Sequence, residues 1–192
     1  MKTILVCVTG AVASVAIPSY IMNIRRKLGV KVIVMLSKNA AKFVTPYSLS
    51  LYSGNEVYAD TYDSTENVLV PHIKLTQEAD LILVMPATAN IIAKAAHGIC
   101  DDIVSTSILA AIAPVLFIPS MNERMWFSAP VQANIKKIQE HGYYYIEPEK
   151  GVEVSDMAES FGGMASLKTI IPLLKNFLTN ETKPVQPFGA AQ

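Results

Sequence analysis

Four short apolar runs constrain this chain more than anything else in it: Thr3 to Val8, Val30 to Leu36, Leu81 to Met85 and Val115 to Ile118. Each is too short for a helix and apolar at nearly every position (Thr3 and Lys31 are the exceptions), so both of its faces must be covered. Central strands of a parallel sheet have that property. Helical patterns fill the gaps. Ser14 to Leu28 puts Ile17, Ile21, Ile24 and Leu28 on one face, and Gly29 is a suitable stop. Pro18 then has to fall in the first turn or kink the helix. Lys38 to Phe43 starts a helix that Thr45-Pro46 interrupts, and Leu49 to Val57 fits either helix or strand. A small-residue helix follows Pro86 to Asn90, breaks at His97-Gly98, and a second restarts near Asp101-Asp102 and runs to about Ala111. Pro130 to His141 turns Val131, Ile135 and Ile138 inward, Gly142 ends it, and Tyr143 to Ile146 reads as a fifth strand.

Strand and helix in alternation define an α/β domain, doubly wound, with a mostly parallel sheet. The domain is predicted over residues 1–180, closed by an amphipathic helix from Ser166 to Leu178. Residues 181–192, with two prolines and no core pattern, are predicted to form a loose tail. Asp60 to Val70 reads as a long connection. Gly151 to Gly163 is Glu- and Gly-rich with little pattern, which suits a lid or substrate loop.

The chain has 192 residues, with 16 Lys and Arg against 16 Asp and Glu. A neutral balance argues against a nucleic-acid partner and against attraction to acidic membranes, and it favours self-association. Lys2 precedes the run Ile4 to Val8, and Ala11-Val12-Ala13 has the look of a cleavage site. The run is short and stops at Thr9-Gly10, so it is read as a strand rather than a signal peptide. With no stretch of membrane-spanning length, a soluble, cytoplasmic protein is expected. Cys7 and Cys100 both sit in apolar sequence and form no C-x-x-C pair, so two buried free thiols are the simpler account and a disulfide the weaker one.

Function should reside at the strand ends. Thr9-Gly10-Ala11 with Ser14, then Ser37, then Pro86 to Asn90 place hydroxyls, backbone N–H groups and helix starts at one edge of the sheet, which suits a phosphate. The same features also occur as ordinary βα caps. Neither G-x-G-x-x-G nor a Walker A loop is present, so a mononucleotide fits better than NAD or ATP. Pro119-Ser120-Met121-Asn122-Glu123-Arg124-Met125-Trp126 follows the fourth run. Its flexible methionines and the lone Trp make an adaptable apolar wall, and the Asn122 amide suits a carboxylate or the edge of a flavin-like ring. Alternatively, Met121, Met125 and Trp126 pack beneath the next helix. Of His72, His97 and His141, only His72 lies beside a long connection and ahead of an apolar strand, where an acid–base group could reach a pocket; a structural histidine fits that place equally well. No metal-ligand spacing and no G-x-S-x-G occur.

Taken together, these residues resemble the homo-oligomeric flavin-containing Cys decarboxylases. Pro86-Ala87-Thr88-Ala89-Asn90-Ile91 is similar to that family's P-A-S-A-N-T motif, and Pro119 to Trp126 to its P-x-M-N-x-x-M-W motif. His72 falls at the place of the family's active-site histidine. Order and spacing match from about Thr3 to Ile146. The resemblance implies a flavodoxin-like fold, bound FMN (with FAD as the alternative) and homotrimers or dodecamers built of trimers. It implies catalytic roles for His72, near the thiol, and for Asn122, on the carboxylate. Gly10, Ser14, Ser37, Ala87, Thr88, Asn90, Ser105 and Met121 would cradle the flavin, and Met125 and Trp126 would line the substrate pocket.

The family's coenzyme A branch carries a reactive cysteine in an A-C-G motif ahead of a Gly-rich segment. Val154 to Met164, the corresponding stretch here, has none. That departure, with the Trp after Met125, resembles the branch acting on precursor peptides with a C-terminal cysteine, including the lantibiotic enzymes. The reading is therefore oxidative decarboxylation of a peptidyl cysteine to an enethiol. Phosphopantothenoylcysteine decarboxylation in coenzyme A biosynthesis and a non-catalytic flavin-binding regulatory subunit are the alternatives.

Overall fold

The computed structural model describes residues 1–59, 68, 70–155 and 157–179. Most of the Asp60 to Val70 connection and the whole of the predicted tail lie outside these.

Six strands form one sheet: β1 (Thr3–Val8), β2 (Lys31–Leu36), β3 (Val57–Tyr58), β4 (Leu81–Ala87), β5 (Val115–Pro119) and β6 (Tyr144–Tyr145). Their spatial order is β3-β2-β1-β4-β5-β6, and every pairing is parallel. The chain moves outward from β1 to β2 and β3, then returns to lay β4 on the other side of β1. The topological switch point, where ligands bind in sheets of this kind, therefore lies between the carboxyl ends of β1 and β4.

Residues on β1 alternate between two cores. Leu5 and Cys7 face one side with Leu75, Ile92, Val104, Ile135 and Ile138, while Ile4, Val6 and Val8 face the other with Ile21, Ile24, Leu49, Ile170 and Leu174. The second core is covered by α1 (Ile17–Leu28), α2 (Pro46–Ser53) and α8 (Leu167–Thr179). The first is covered by α3 (Pro71–Glu78), α4 (Ala89–His97), α5 (Ile103–Leu109) and α7 (Ala129–Glu140). A single turn, α6 (Glu123–Trp126), precedes α7.

Local chemistry fixes the helix ends. Pro18 sits in the first turn of α1, after a 3-10 turn at Val12–Ala16, and Gly29 closes the helix at φ 64°. Thr45 caps α2 by accepting from the Ser48 N–H, so the predicted Thr45-Pro46 interruption is a helix start. The ambiguous stretch from Leu49 divides into the end of α2 and the short β3. The segment from Pro71 to Leu75 is helical.

Two expectations need correction. Gly151 to Gly163 is not patternless: most of it belongs to an antiparallel hairpin of β7 (Glu149–Val152) and β8 (Glu159–Gly163). Cys7 is buried as expected, and burial, reinforced by the Asp102 charge, pushes its thiol up to about 12. Cys100 is exposed, because it falls in the turn between α4 and α5 rather than on a helix face. Among the described residues, no helix is long and apolar enough to cross a membrane.

Candidate active site

A cleft of about 810 Å³ opens at the switch point, within the range typical of small-ligand sites. Its floor comes from the loops after β1, β4 and β5. The Thr9 hydroxyl ties the first two together, donating to the Pro86 carbonyl at 2.7 Å and accepting from the Thr88 N–H at 3.1 Å. Ser120 N–H donates to the Ala87 carbonyl at 3.0 Å and joins the third loop to them. Gly10 is required here, since a Cβ on it would lie 2.6 Å from that of Asn39.

One wall is apolar, with Ala11, Val12, Val15, Ala16 and Met125; the polar groups include Thr88, Ser120 and Asn122, with Lys150 as a cation. The hairpin β7–β8 forms the other wall. Phe161 stacks on Phe127 with ring centroids 5.6 Å apart, and the Met121 N–H donates to the Gly162 carbonyl at 3.0 Å. Glu149 anchors its base by accepting from the Ser166 N–H at 3.1 Å and from the Thr169 hydroxyl.

Asn122 caps α6, its side-chain oxygen accepting from the Arg124 N–H at 2.9 Å. Its amide nitrogen donates to both carboxylate oxygens of Glu153, each at 2.8 Å. Ser160 donates to the same carboxylate at 2.7 Å. These donors hold it below the usual carboxylate range: Ser160 contributes most, partial desolvation opposes, and Asn122 and the Glu123 N–H add to the effect. The cleft thus holds a carboxylate at its polar end.

Five of the residues expected to serve the site line this cleft: Gly10, Thr88, Met121, Asn122 and Met125. Seven do not. Ser14 is fully buried and donates to the Thr9 carbonyl at 2.7 Å. The Ser37 hydroxyl accepts from the Ala40 N–H, Ala87 is buried in β4, and Asn90 is exposed on α4. Ser105 belongs to a capping box with Asp102, so its hydroxyl is spent on the start of α5. Trp126 is 2 % exposed and packs against Tyr145, outside the lining of the cleft. His72 lies in the first turn of α3, outside the cleft lining; its Nδ1 is buried and has no hydrogen-bond partner among the described residues. Sequence reasoning missed Lys150, Glu153 and Ser160. They carry no motif and become visible only once the hairpin folds over Asn122.

The flank of the cleft is unusually apolar. Val15, Phe127 and Val154 are 61 %, 61 % and 65 % exposed, with Val12, Met125 and Val152 also open. An exposed apolar patch of this kind marks an interaction surface.

The Flavoprotein family model matches residues 1–179, and the chain belongs to that family. It is 39% identical over 175 residues to the coenzyme A biosynthesis bifunctional protein CoaBC of Borreliella burgdorferi, covering 91% of this chain and 44% of that protein. The chain therefore spans less than half the length of that relative. It is 34% identical over 179 residues to a probable phosphopantothenoylcysteine decarboxylase of Streptococcus mutans, covering 92% of this chain and 99% of that one. The crystal structure of the FMN-dependent cysteine decarboxylase SpaF superposes with a TM-score of 0.80 at 30% identity, covering 92% of this chain and 97% of that one.

Proposed function

We propose that the chain is an FMN-dependent decarboxylase acting on the cysteine carboxylate of phosphopantothenoylcysteine. The observation that carries the reading is the carboxylate held on the Asn122 amide, at the switch point of a Flavoprotein-family fold. The relative in Streptococcus mutans, matched over almost its whole length, supports this substrate over a peptide.

The cleft fits the cofactor. Its volume accommodates a mononucleotide, and its Ala, Val and Met wall suits a flat ring. Gly10, Thr88, Ser120 and Met121 would hold the flavin. When bound, the flavin supplies the two-electron oxidation that makes the cysteine Cβ–S unit an electron sink, so that carbon dioxide can leave. Asn122 would orient the departing carboxylate through its amide donors, and the apolar wall would exclude water from it. His72 would take up the thiol proton. Because it does not line the cleft of its own chain, this role requires a site completed between copies, in keeping with the homo-oligomers that the resemblance implies.

Residues 101–192 contain no cysteine, so the reactive cysteine of the coenzyme A branch, which would return the reducing equivalents to the product, has no counterpart there. The product expected is the oxidised enethiol, with loss of carbon dioxide and two hydrogens. That same absence favours the second reading, a peptidyl-cysteine decarboxylase. Incubating the flavin-loaded protein with phosphopantothenoylcysteine, and separately with peptides ending in cysteine, separates the two by mass spectrometry. Turnover of peptides alone would overturn the first reading. Silence with both would overturn both and favour a non-catalytic flavin-binding subunit.

A further inference from the structure

The Asn122 amide has a resident ligand that belongs to the chain itself. Glu153 reaches it from the hairpin, with 2.8 Å contacts to both carboxylate oxygens, a 2.7 Å bond from Ser160 and a 3.4 Å bond from Ser155. The turn that carries Glu153 is itself closed by backbone bonds, Glu153 N–H to the Ala158 carbonyl and Met157 N–H to the Glu153 carbonyl, each at 2.9 Å. Glu153 is only half-buried and lines the mouth of the cleft. Its carboxylate is therefore within reach of a competitor from solvent.

A cysteine-terminated substrate brings a carboxylate of the same charge and shape. Two carboxylates cannot share one amide nitrogen without like-charge repulsion in a partly desolvated cleft. We propose that Glu153 is an internal stand-in for the substrate carboxylate, which must displace it, and that Ser160 is a second donor to the incoming carboxylate. In the substrate-free protein the Glu153–Asn122 bond holds the hairpin against the Met121–Asn122 loop. On displacement, the Ser160 hydroxyl and the Asn122 amide pass from the internal carboxylate to the substrate's. Glu153 thereby sets apparent affinity: ligands lacking a carboxylate do not release it. The inference rests on Asn122 as the substrate carboxylate site, and it holds for either cysteine substrate.

The test uses the full-length, flavin-loaded protein with N-acetylcysteine, which carries the carboxylate and thiol but neither a phosphopantothenoyl group nor a peptide. Its affinity is measured by calorimetry for wild type, Glu153→Ala, Glu153→Gln and Ser160→Ala. If the tethered form dominates, removing the internal competitor tightens binding by about tenfold, by the fraction of protein otherwise closed. Glu153→Gln, which keeps the side chain's size, guards against a merely disordered hairpin and should move in the same direction. Ser160→Ala should weaken binding. Hydrogen exchange at residues 149–163 without ligand should rise in both Glu153 variants. Unchanged or weaker binding in both Glu153 variants, or unchanged exchange, overturns the inference. Turnover of phosphopantothenoylcysteine is scored separately; its failure overturns the substrate assignment and leaves the binding result standing.

Discussion

Gly162 packs its backbone directly on Met121: the Met121 N–H donates to the Gly162 carbonyl at 3.0 Å, and the position a Gly162 Cβ would take is already filled by the Met121 carbonyl oxygen. Gly162 also has φ 123°, a region that residues with side chains rarely adopt. Replacing it with Ala must push the hairpin off the Asn122 loop. Strain of this kind costs about 1–3 kcal/mol. The Gly162→Ala protein should fold, melt a few degrees lower (about 2–4 °C per kcal/mol) and lose activity by about 10² through displacement of the carboxylate site. Thermal melting and steady-state kinetics on one preparation check both halves.

Trp126 and Met125 are adjacent in sequence and opposite in role. Trp126 is buried against Tyr145, whereas Met125 is 48 % exposed on the cleft wall. Trp126→Ala should cost about 3–5 kcal/mol by leaving a cavity. The milder Trp126→Phe should lower the melting temperature and leave KM unchanged. Met125→Ala should do the reverse, keeping the melting temperature and raising KM by about fivefold for roughly 1 kcal/mol of lost apolar contact. A KM change in Trp126→Phe as large as that in Met125→Ala would return Trp126 to the substrate pocket.

The contrast marks what a one-dimensional pattern can convey. β1 is legible to the residue because a strand covered on both faces must be apolar throughout. α3 is not, because Pro71, Leu75 and Thr76 are its buried residues and one short helix offers no second apolar turn. The β7–β8 ribbon is hidden for a related reason: most of its residues are partly or fully exposed, so alternation leaves no trace. At the site, Gly10, Thr88 and Asn122 could be read from their places at strand ends. Ser14 and Ser105 could not be told from ligand-binding hydroxyls, since a hydroxyl near a helix start serves a carbonyl or a cap as readily as a phosphate. Glu153 and Asn122, thirty-one positions apart, meet only through the fold.

The turn between α4 and α5 offers a pH test. Lys94 bridges Asp101 at 2.5 Å and Asp102 at 3.0 Å, and Asp102 also caps α5. Burial works against the Lys94 charge, but its bonds to the two carboxylates raise its pKa; the Lys94 bond lowers that of Asp101. A depressed carboxylate stabilises the fold above its unfolded pKa, and that contribution is lost as acid titrates the folded group. A raised ammonium stabilises below its unfolded pKa and fails as base titrates the folded one. The bridge should therefore act from about pH 4 to pH 10, between the ordinary Asp and Lys values. Lys94→Met should flatten the melting profile at both ends of that window. Asp102→Ala, which also loses the cap, should cost about 0.5–2 kcal/mol at neutral pH; Asp101→Asn, which leaves the cap in place, should lose the dependence at the acid end. Melting curves across pH read all three variants.

His72 poses the remaining question, since its buried Nδ1, without a partner among the described residues, lies outside the lining of the cleft that holds Asn122. If the two serve one reaction, a neighbouring copy must bring them together across the exposed apolar flank around Val15, Phe127 and Val154. His72→Asn and Asn122→Ala should each be nearly inactive alone. Coexpressed in equal amounts, they form mixed oligomers in which about one interface in four pairs a native His72 with a native Asn122. Activity should recover to about a quarter of wild type by this count. A double variant, His72→Asn with Asn122→Ala, coexpressed with wild type provides the control for subunit dilution. Two single variants that stay silent together, while forming mixed oligomers by mass spectrometry, would show that His72 and Asn122 do not meet between copies. His72 would then lose its place in the chemistry, leaving Asn122 and the hairpin as the groups that act on the carboxylate.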